Sequence, residues 1–450
     1  MNAIWLSHGA DAPLYLEGGL AAAPFRGAAY DPRGGPDGLL TESLDLVLEN
    51  SSPATISAGF TRLERFLTAA NENSQTSIGK PVYLECVGPA GDPAYRSPLR
   101  SGWVELIGGD RARGSVGLRL HITREPWWEL SAETQLKLAL PGQASTPGEI
   151  TLFNHRDTDA GHVNCWQVLP ADISGDLPAP ARIELRDVNS GQIPRVFIGE
   201  DWHPVNGTNT FLESAAFDSQ FMIGGTYIAD NTCVSNGKTV FSWVGSAETI
   251  LGYWVLLNSD ISPGQGRYFK PVLRLPGGTV YSDLWIRLRV KDINGTVIWD
   301  GPYSLIPANC ELCELAPIPI PPNLVEMADL YSGLTIELLG KRMAGGSCSL
   351  AFDFMQMFPT DMFIKGIAKG SGCTVGSYLM LDGIHHRFYM SVQRASAVSS
   401  DWQVFGDPSV LIFPGVQHQF TILSMHSTTS ADILRSLGVR AYYHPRKRLL

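Results

Sequence analysis

The stretch GDLPAPARIEL, residues 175–185, decides how this 450-residue chain is divided. Pro178 and Pro180 lack backbone N–H groups, and each restrains the residue before it. The segment is therefore extended or turned and does not suit the middle of a paired strand. Directly after it, Ile183 and Leu185 alternate with Arg182, Glu184 and Arg186, the period-two pattern of a half-buried strand. A stiffened entry followed at once by a strand reads as a strut that starts a new domain. The strand at 182–186 is expected to belong with strands near residue 440.

Upstream, SLDLVL (43–48) alternates with Leu44, Leu46 and Leu48 on one face. Ser52 suits an N-cap and Pro53 the first helical position. Ile56, Phe60, Leu63, Leu67 and Ala70 then recur at helical spacing, predicting a helix over 53–70. Two strands follow, with Val82, Leu84 and Cys86 on one face of the first. In SVGLRLHITREPWWEL, Val116, Leu118, Leu120 and Ile122 share a face, and Pro126 stops the strand. The first ~130 residues thus read strand, helix, then several strands.

Downstream, 206–305 is rich in strands and turns. Gly277-Gly278 marks one connection and Asn294-Gly295 is a hairpin signal. Ile286, Leu288 and Val290 face in, while Arg287, Arg289 and Lys291 face out. IPANCELCELAPIPIPPNL (306–324) is Pro-rich and reads as a linker. Residues 325–450 alternate again, and no repeat at a fixed period appears.

Length implies roughly two to four domains. Charged residues are 17% and apolar ones 44%, enough to bury real cores. Gly 46 and Pro 30 imply frequent turns and short elements, as in β-sandwiches. A net charge of −10 argues against sequence-independent binding of a nucleic-acid backbone. No apolar run is long enough for a membrane helix, and MNAIWLSHGADAPLYLEGG does not read as a secretory signal. The chain is expected to be soluble and made in the cytoplasm, with the basic PRKRLL at its end as a solvated tail.

Recognisable chemistry is sparse. GKT at 237–239 imitates the end of a phosphate loop, but the position needing the earlier glycine is Thr232. No G-x-S-x-G and no H-E-x-x-H occurs. His385 and His386 are adjacent, so on a strand they point to opposite faces. Of seven cysteines, only Cys310 and Cys313 make a C-x-x-C, and a structural zinc site usually needs a second close pair. No metal, cofactor or catalytic residue is assigned, and no enzyme activity is expected. Aromatics are dense in 206–305, and Trp243, Tyr253, Trp254 and Trp299 are the candidates for stacking on sugar rings.

Three resemblances fit together. LTESLDLVLENSS, ATISAGFTRLERFLTAAN, PVYLEC and LRLHITREPWWEL resemble the N-terminal domain of phage distal tail proteins. In that family a curved sheet flanked by a helix forms a ring of six copies around the tail channel. GDLPAPARIELRD, with YLMLDGIHHRFYMSV, VLIFPGVQHQFTIL and VRAYYHPRKRL, resembles the entry to and exit from the outer sandwich of the same proteins. NTFLESAAFDS, YIADNTCVSNGKTVFSW and SPGQGRYFKPVLRLPGG resemble galactose-binding-like carbohydrate-binding modules, which often carry a second Glu two residues after the first to hold calcium. Here the two positions are Glu213 and Ala215, against a calcium site.

The resemblances imply a mainly β chain in three domains. A tail-tube-like sheet domain with one helix covers 1–140. An outer, jelly-roll-like β-sandwich covers 141–205 plus 320–450, and a second sandwich, 206–319, is inserted in it. The implied function is structural: a ring-forming tail-tip protein of the virion. Its partners would be itself as a hexamer, tail-tube and hub proteins, and host surface carbohydrate through the insert. No specific nucleic-acid binding or membrane insertion is expected. The alternative is a secreted carbohydrate-binding or glycan-active protein.

Overall fold

A computed structural model describes residues 4–16, 21–22, 38–48, 52–76, 80–87, 93–110, 115–152, 165–187, 195–200, 211–213, 225–230, 233, 237–257, 266–292, 294–321, 333–368, 377–385, 387–392, 398–399, 402–425 and 437–448. The fold is mainly β, with antiparallel sheets and a single α-helix among the described residues. The chain divides into two compact units. One comprises Met1–Thr134, Ser174–Ala179 and Tyr443–Leu450; the other comprises Gln135–Ile173 and Pro180–Tyr442. The division passes through the diproline stretch itself, between Ala179 and Pro180.

The first unit holds a 9-stranded sheet. The helix Pro53–Thr76 packs on the long strand Ala94–Asp110 and outlasts its expected end at residue 70. Its apolar stripe is buried at Leu63, Phe66, Leu67 and Ala70. Against it lie Leu44 and Leu46, Val82 and Leu84, and Leu118, Leu120 and Ile122, so one apolar face per strand closes a single core. Each such side chain, fully buried, contributes on the order of 1.5–3 kcal/mol. Strand Ser115–Arg124 ends ahead of Pro126.

The basic C-terminus is not a solvated tail. Arg446–Lys447 forms a short strand on Trp128–Leu130. Arg446 Nε donates to Glu129 Oε2 at 3.3 Å, and its guanidinium lies 4.4 Å over the Trp127 ring. The start of the diproline stretch fixes the same strand: Asp176 N and Leu177 N donate to Arg446 O at 2.7 and 3.3 Å.

The second unit contains two layered β assemblies. In the outer sandwich, Ala179–Asp187 pairs with Ser377–Asp382, Arg182 opposite Asp382 and Arg186 opposite Tyr378. Its further neighbours in that sheet are Leu411–Ile412 and Leu437–Tyr443, the strand near residue 440. The facing sheet orders Cys165–Val168, His418–Met425, Arg195–Glu200, Phe363–Ala368 and Trp402–Gly406. Trp166 stacks on Phe420 in this layer, ring centroids 5.1 Å apart. His385 lies in the turn joining Ser377–Asp382 to Arg387–Val392, not on a strand; Asp382 accepts from Ile384 N and His385 N. His386 and Cys373 lie outside the described residues.

The inserted module is larger than its sequence suggests. Its central sheet pairs Gly333–Arg342 with both Thr249–Leu257 and Leu284–Asp292. Ser347–Phe352 pairs with Gly237–Val244, and Phe354–Pro359 with Tyr268–Arg274. Strand pairing therefore places the return to the outer sandwich near residue 360 rather than 320. The expected linker is part of the core: Ile306, Cys310, Leu312, Cys313, Leu315, Ile318 and Ile320 are all buried, and Leu312–Glu314 and Ile318–Pro319 pair with Tyr268–Arg274. Apolar residues spaced between the prolines make this a short-stranded wall, not a spacer. Phe197, Phe363 and Leu423 of the sandwich pack with Val272, Leu312, Phe354 and Phe358 of the module in one apolar cluster.

Candidate functional site

Two surfaces stand out, one in each unit. In the first, residues 99–110 pair on one side with Ser115–Arg124. On the other side, among the described residues, the neighbouring strand Val82–Val87 reaches only as far as Pro98. Beyond it the edge is closed at one point by the helix. Gly102 N donates to Asn71 Oδ1 at 3.1 Å, and Asn71 Nδ2 donates to Gly102 O at 3.3 Å. The carboxamide thus takes the place of a strand partner. Strand alternation then aims the N–H and C=O of Val104 the same way as those of Gly102, to the open side. Nearby, Trp103, Leu106 and Ile107 are 57%, 69% and 44% exposed. Trp103 stacks on His121 at 3.9 Å, and His121 Nδ1 lies 2.9 Å from Ser43 Oγ.

The second surface is the outward face of the module's central sheet. Alternation sends Ile286, Leu288 and Val290 into the core and Arg287, Arg289 and Lys291 out. Register aligns Arg289 with Glu337 and Glu337 with Tyr253. Glu248 receives Arg287 Nε at 2.6 Å and Arg289 Nη2 at 3.2 Å, and the Tyr303 hydroxyl donates to it. Asp300 receives Arg289 Nε at 2.9 Å and pairs with Arg287 at 2.6 Å. Lys341 Nζ lies 3.7 Å from the Tyr303 ring centroid.

The electrostatics follow from this geometry. Hydrogen bonding from Arg287, then from Tyr303, holds the Glu248 carboxyl below its ordinary range despite burial. Burial opposes ionisation of Asp300, but Arg289 and Arg287 outweigh it and lower that carboxyl too. Burial and Glu248 push the Tyr303 phenol up. Both carboxylates are held ionised, so neither suits the role of a general acid that must stay protonated. An array of fixed donors and acceptors beside tyrosine rings can instead hold a polyhydroxylated ligand.

Of the four aromatic candidates, only Tyr253 lies on this face. Trp243 and Trp254 are 8% and 2% exposed within the core. Trp254 packs on Phe352, ring centroids 5.7 Å apart, so its faces are taken. Trp299 lies opposite the inward Val290 and packs against the core and Gly301. The sequence marked the outward arginines but not their partners Glu248, Asp300, Tyr303 and Glu337, which come from other segments. Ala215 and the side chain of Glu213 lie outside the described residues. Among the described residues no group of three or more His, Cys, Asp and Glu could hold a metal ion, and no helix is long and apolar enough to cross a membrane.

Beneath the module surface, Glu311 is 6% exposed. Its Oε1 accepts from Gly277 N at 3.1 Å. Burial pushes this carboxyl from its ordinary 4.5 up to about 7, against the pull of Arg274. A carboxyl raised on folding gives stability that is complete below the unfolded value and lost as pH rises through about 7. Glu311→Gln is therefore expected to be more stable than the parent at pH 8 and close to it at pH 4. Urea denaturation at both values checks this; an unchanged pH dependence would refute it.

No protein-family profile matches the chain. No curated protein matches it either. Solved structures that match include the infectious bursal disease virus Gt strain, at 10% identity over 84% of this chain and 86% of that one, with a TM-score of 0.16. The T=1 particles derived from infectious bursal virus give 10% identity, 84% and 83% coverage and a TM-score of 0.16. Likeness at that level carries no argument about fold or role. What the geometry defines is a mainly β, sandwich-bearing chain with, among the described residues, an open sheet edge and a polar sheet face.

Proposed function

We propose that the chain is a structural subunit of a phage or phage-like tail tip. Its first unit assembles edge to edge with further copies into a ring, six by the resemblance, that continues the tail tube. Its module turns the polar face toward fibres or host-surface glycans. The carrying observation is the edge beyond Gly102, with Trp103, Leu106 and Ile107 exposed beside it. Long apolar strand edges are aggregation liabilities that natural proteins cover or blunt, and a neighbouring copy would cover this one.

Size-exclusion chromatography with light scattering tests the reading. The full chain is expected to elute as a ring, and Val104→Pro with Leu106→Lys to elute as a folded monomer with unchanged far-ultraviolet circular dichroism. A monomeric parent at every concentration up to about 100 μM would overturn it, since specific assembly interfaces hold well below that. The polar face favours a second reading, a glycan-binding protein that works as a monomer. Binding on a glycan array, lost on replacing Tyr253 or Arg289 with Ala in a monomeric parent, would favour it.

A further inference from the structure

The thiols of Cys310 and Cys313 belong to neither surface. Leu312–Glu314 pairs with Tyr268–Arg274, Cys313 opposite Leu273. Just before it, Asn309 has φ +58, in the left-handed region, and its N–H donates to Thr279 O at 2.8 Å. The turn folds residue 310 back on residue 313, and Cys313 Sγ donates to Cys310 O at 3.2 Å. Cys310 Sγ in turn donates to Leu312 O at 3.2 Å. From strand Arg195–Glu200, Arg195 Nη1 lies 3.3 Å from both Cys310 Sγ and Leu312 O. The guanidinium beside its sulfur favours a thiolate at Cys310.

We propose that Cys310 and Cys313 are a redox-active dithiol that hydroperoxides oxidise to an intrachain disulfide, with Cys310 as the attacking sulfur. The neighbouring Cys313 and the charge of Arg195 hold the Cys310 thiol below its ordinary range despite its burial. The neighbouring Cys310, with burial, pushes Cys313 up and keeps it a thiol. Burial pushes Cys86 and Cys348 the other way from Cys310, up to about 11. Cys310 is 7% exposed and Cys313 1%, so a peroxide-sized oxidant meets Cys310 first.

The steps balance. The Cys310 thiolate attacks one peroxide oxygen; an S–O bond forms, the O–O bond breaks, and the leaving hydroxide takes a proton to become water. The Cys313 sulfur then attacks the Cys310 sulfenic sulfur; the S–S bond forms, the S–O bond breaks, and a second water leaves with the Cys313 proton. Two thiols lose two electrons, and one hydrogen peroxide becomes two waters.

The test treats the full chain with limiting hydrogen peroxide, denatures it, alkylates it with iodoacetamide and maps the peptides by mass spectrometry. A 310–313 disulfide forming at least tenfold faster than oxidation of Cys86 or Cys348 is expected. Cys313→Ser should leave a sulfenic acid at Cys310 that dimedone traps. If Cys313→Ser does not fold, the parent's peptide map decides alone. Cys310 and Cys313 still fully alkylated at a dose that oxidises the other cysteines would overturn the proposal.

Discussion

Asp353→Ala is expected to cost the module about 3–5 kcal/mol, because it removes the carboxylate to which a buried guanidinium donates. Arg274 and Asp353 are both 1% exposed, and Arg274 Nη1 donates to the Asp353 carboxylate. Asp353 N also donates to Arg274 O at 3.1 Å, so the pair sits where strands Tyr268–Arg274 and Phe354–Pro359 meet. Removing the carboxylate leaves the positive charge in a region water cannot reach. More of its desolvation penalty then falls on the folded state. Asp353→Leu combined with Arg274→Met removes both charges and should recover most of the loss. Urea denaturation of the parent and both variants measures the effect. A single variant within about 1 kcal/mol of the parent would show that the ion pair does not carry this stability.

Gly175→Ala is expected to destabilise the first unit by about 3 kcal/mol or more. Gly175 has φ +101, where an L side chain is strained. A Cβ there would also meet Arg446 O at 2.6 Å and Arg446 N at 3.0 Å, both backbone atoms with little freedom to move. Relief requires Arg446 to withdraw. That breaks the bonds from Asp176 N and Leu177 N and loosens Arg446–Lys447 from Trp128–Leu130. Hydrogen exchange should therefore quicken in peptides covering 128–130 and 445–447 before it does elsewhere. Unchanged protection in both would sink this account.

These residues also show what was legible from sequence. The helix and its strand neighbours were, because Leu63 and Leu67 or Leu118 and Leu120 repeat with a local period that needs no knowledge of partners. Alternation likewise told which way Arg287 and Arg289 face. It could not tell that Glu248 meets them, since pairing joins residues far apart in the chain. The same limit hid the true extent of the module. LTIELLG alternates as well in one sandwich as in another, and only its pairing with Thr249–Leu257 and Leu284–Asp292 assigns it.

Composition misled in two places. Prolines made 306–324 look like a tether, although its Ile, Leu and Cys residues fill a wall of the core. Basic residues made the C-terminus look solvated, although Arg446 has a carboxylate and an indole to bind. Tryptophan content did not separate platform from core. Trp254 went inward because the strand's phase put it there.

The Asn71 carboxamide has a consequence for how a sheet can grow. By occupying both backbone groups of Gly102, it ends at one side the row of rungs that no described strand fills. A strand added at this edge can begin its ladder only past that point. A shift by one residue would turn every side chain of the newcomer to the opposite face. One amide side chain on a helix thus acts as an alignment peg, deciding where an incoming backbone starts to be read.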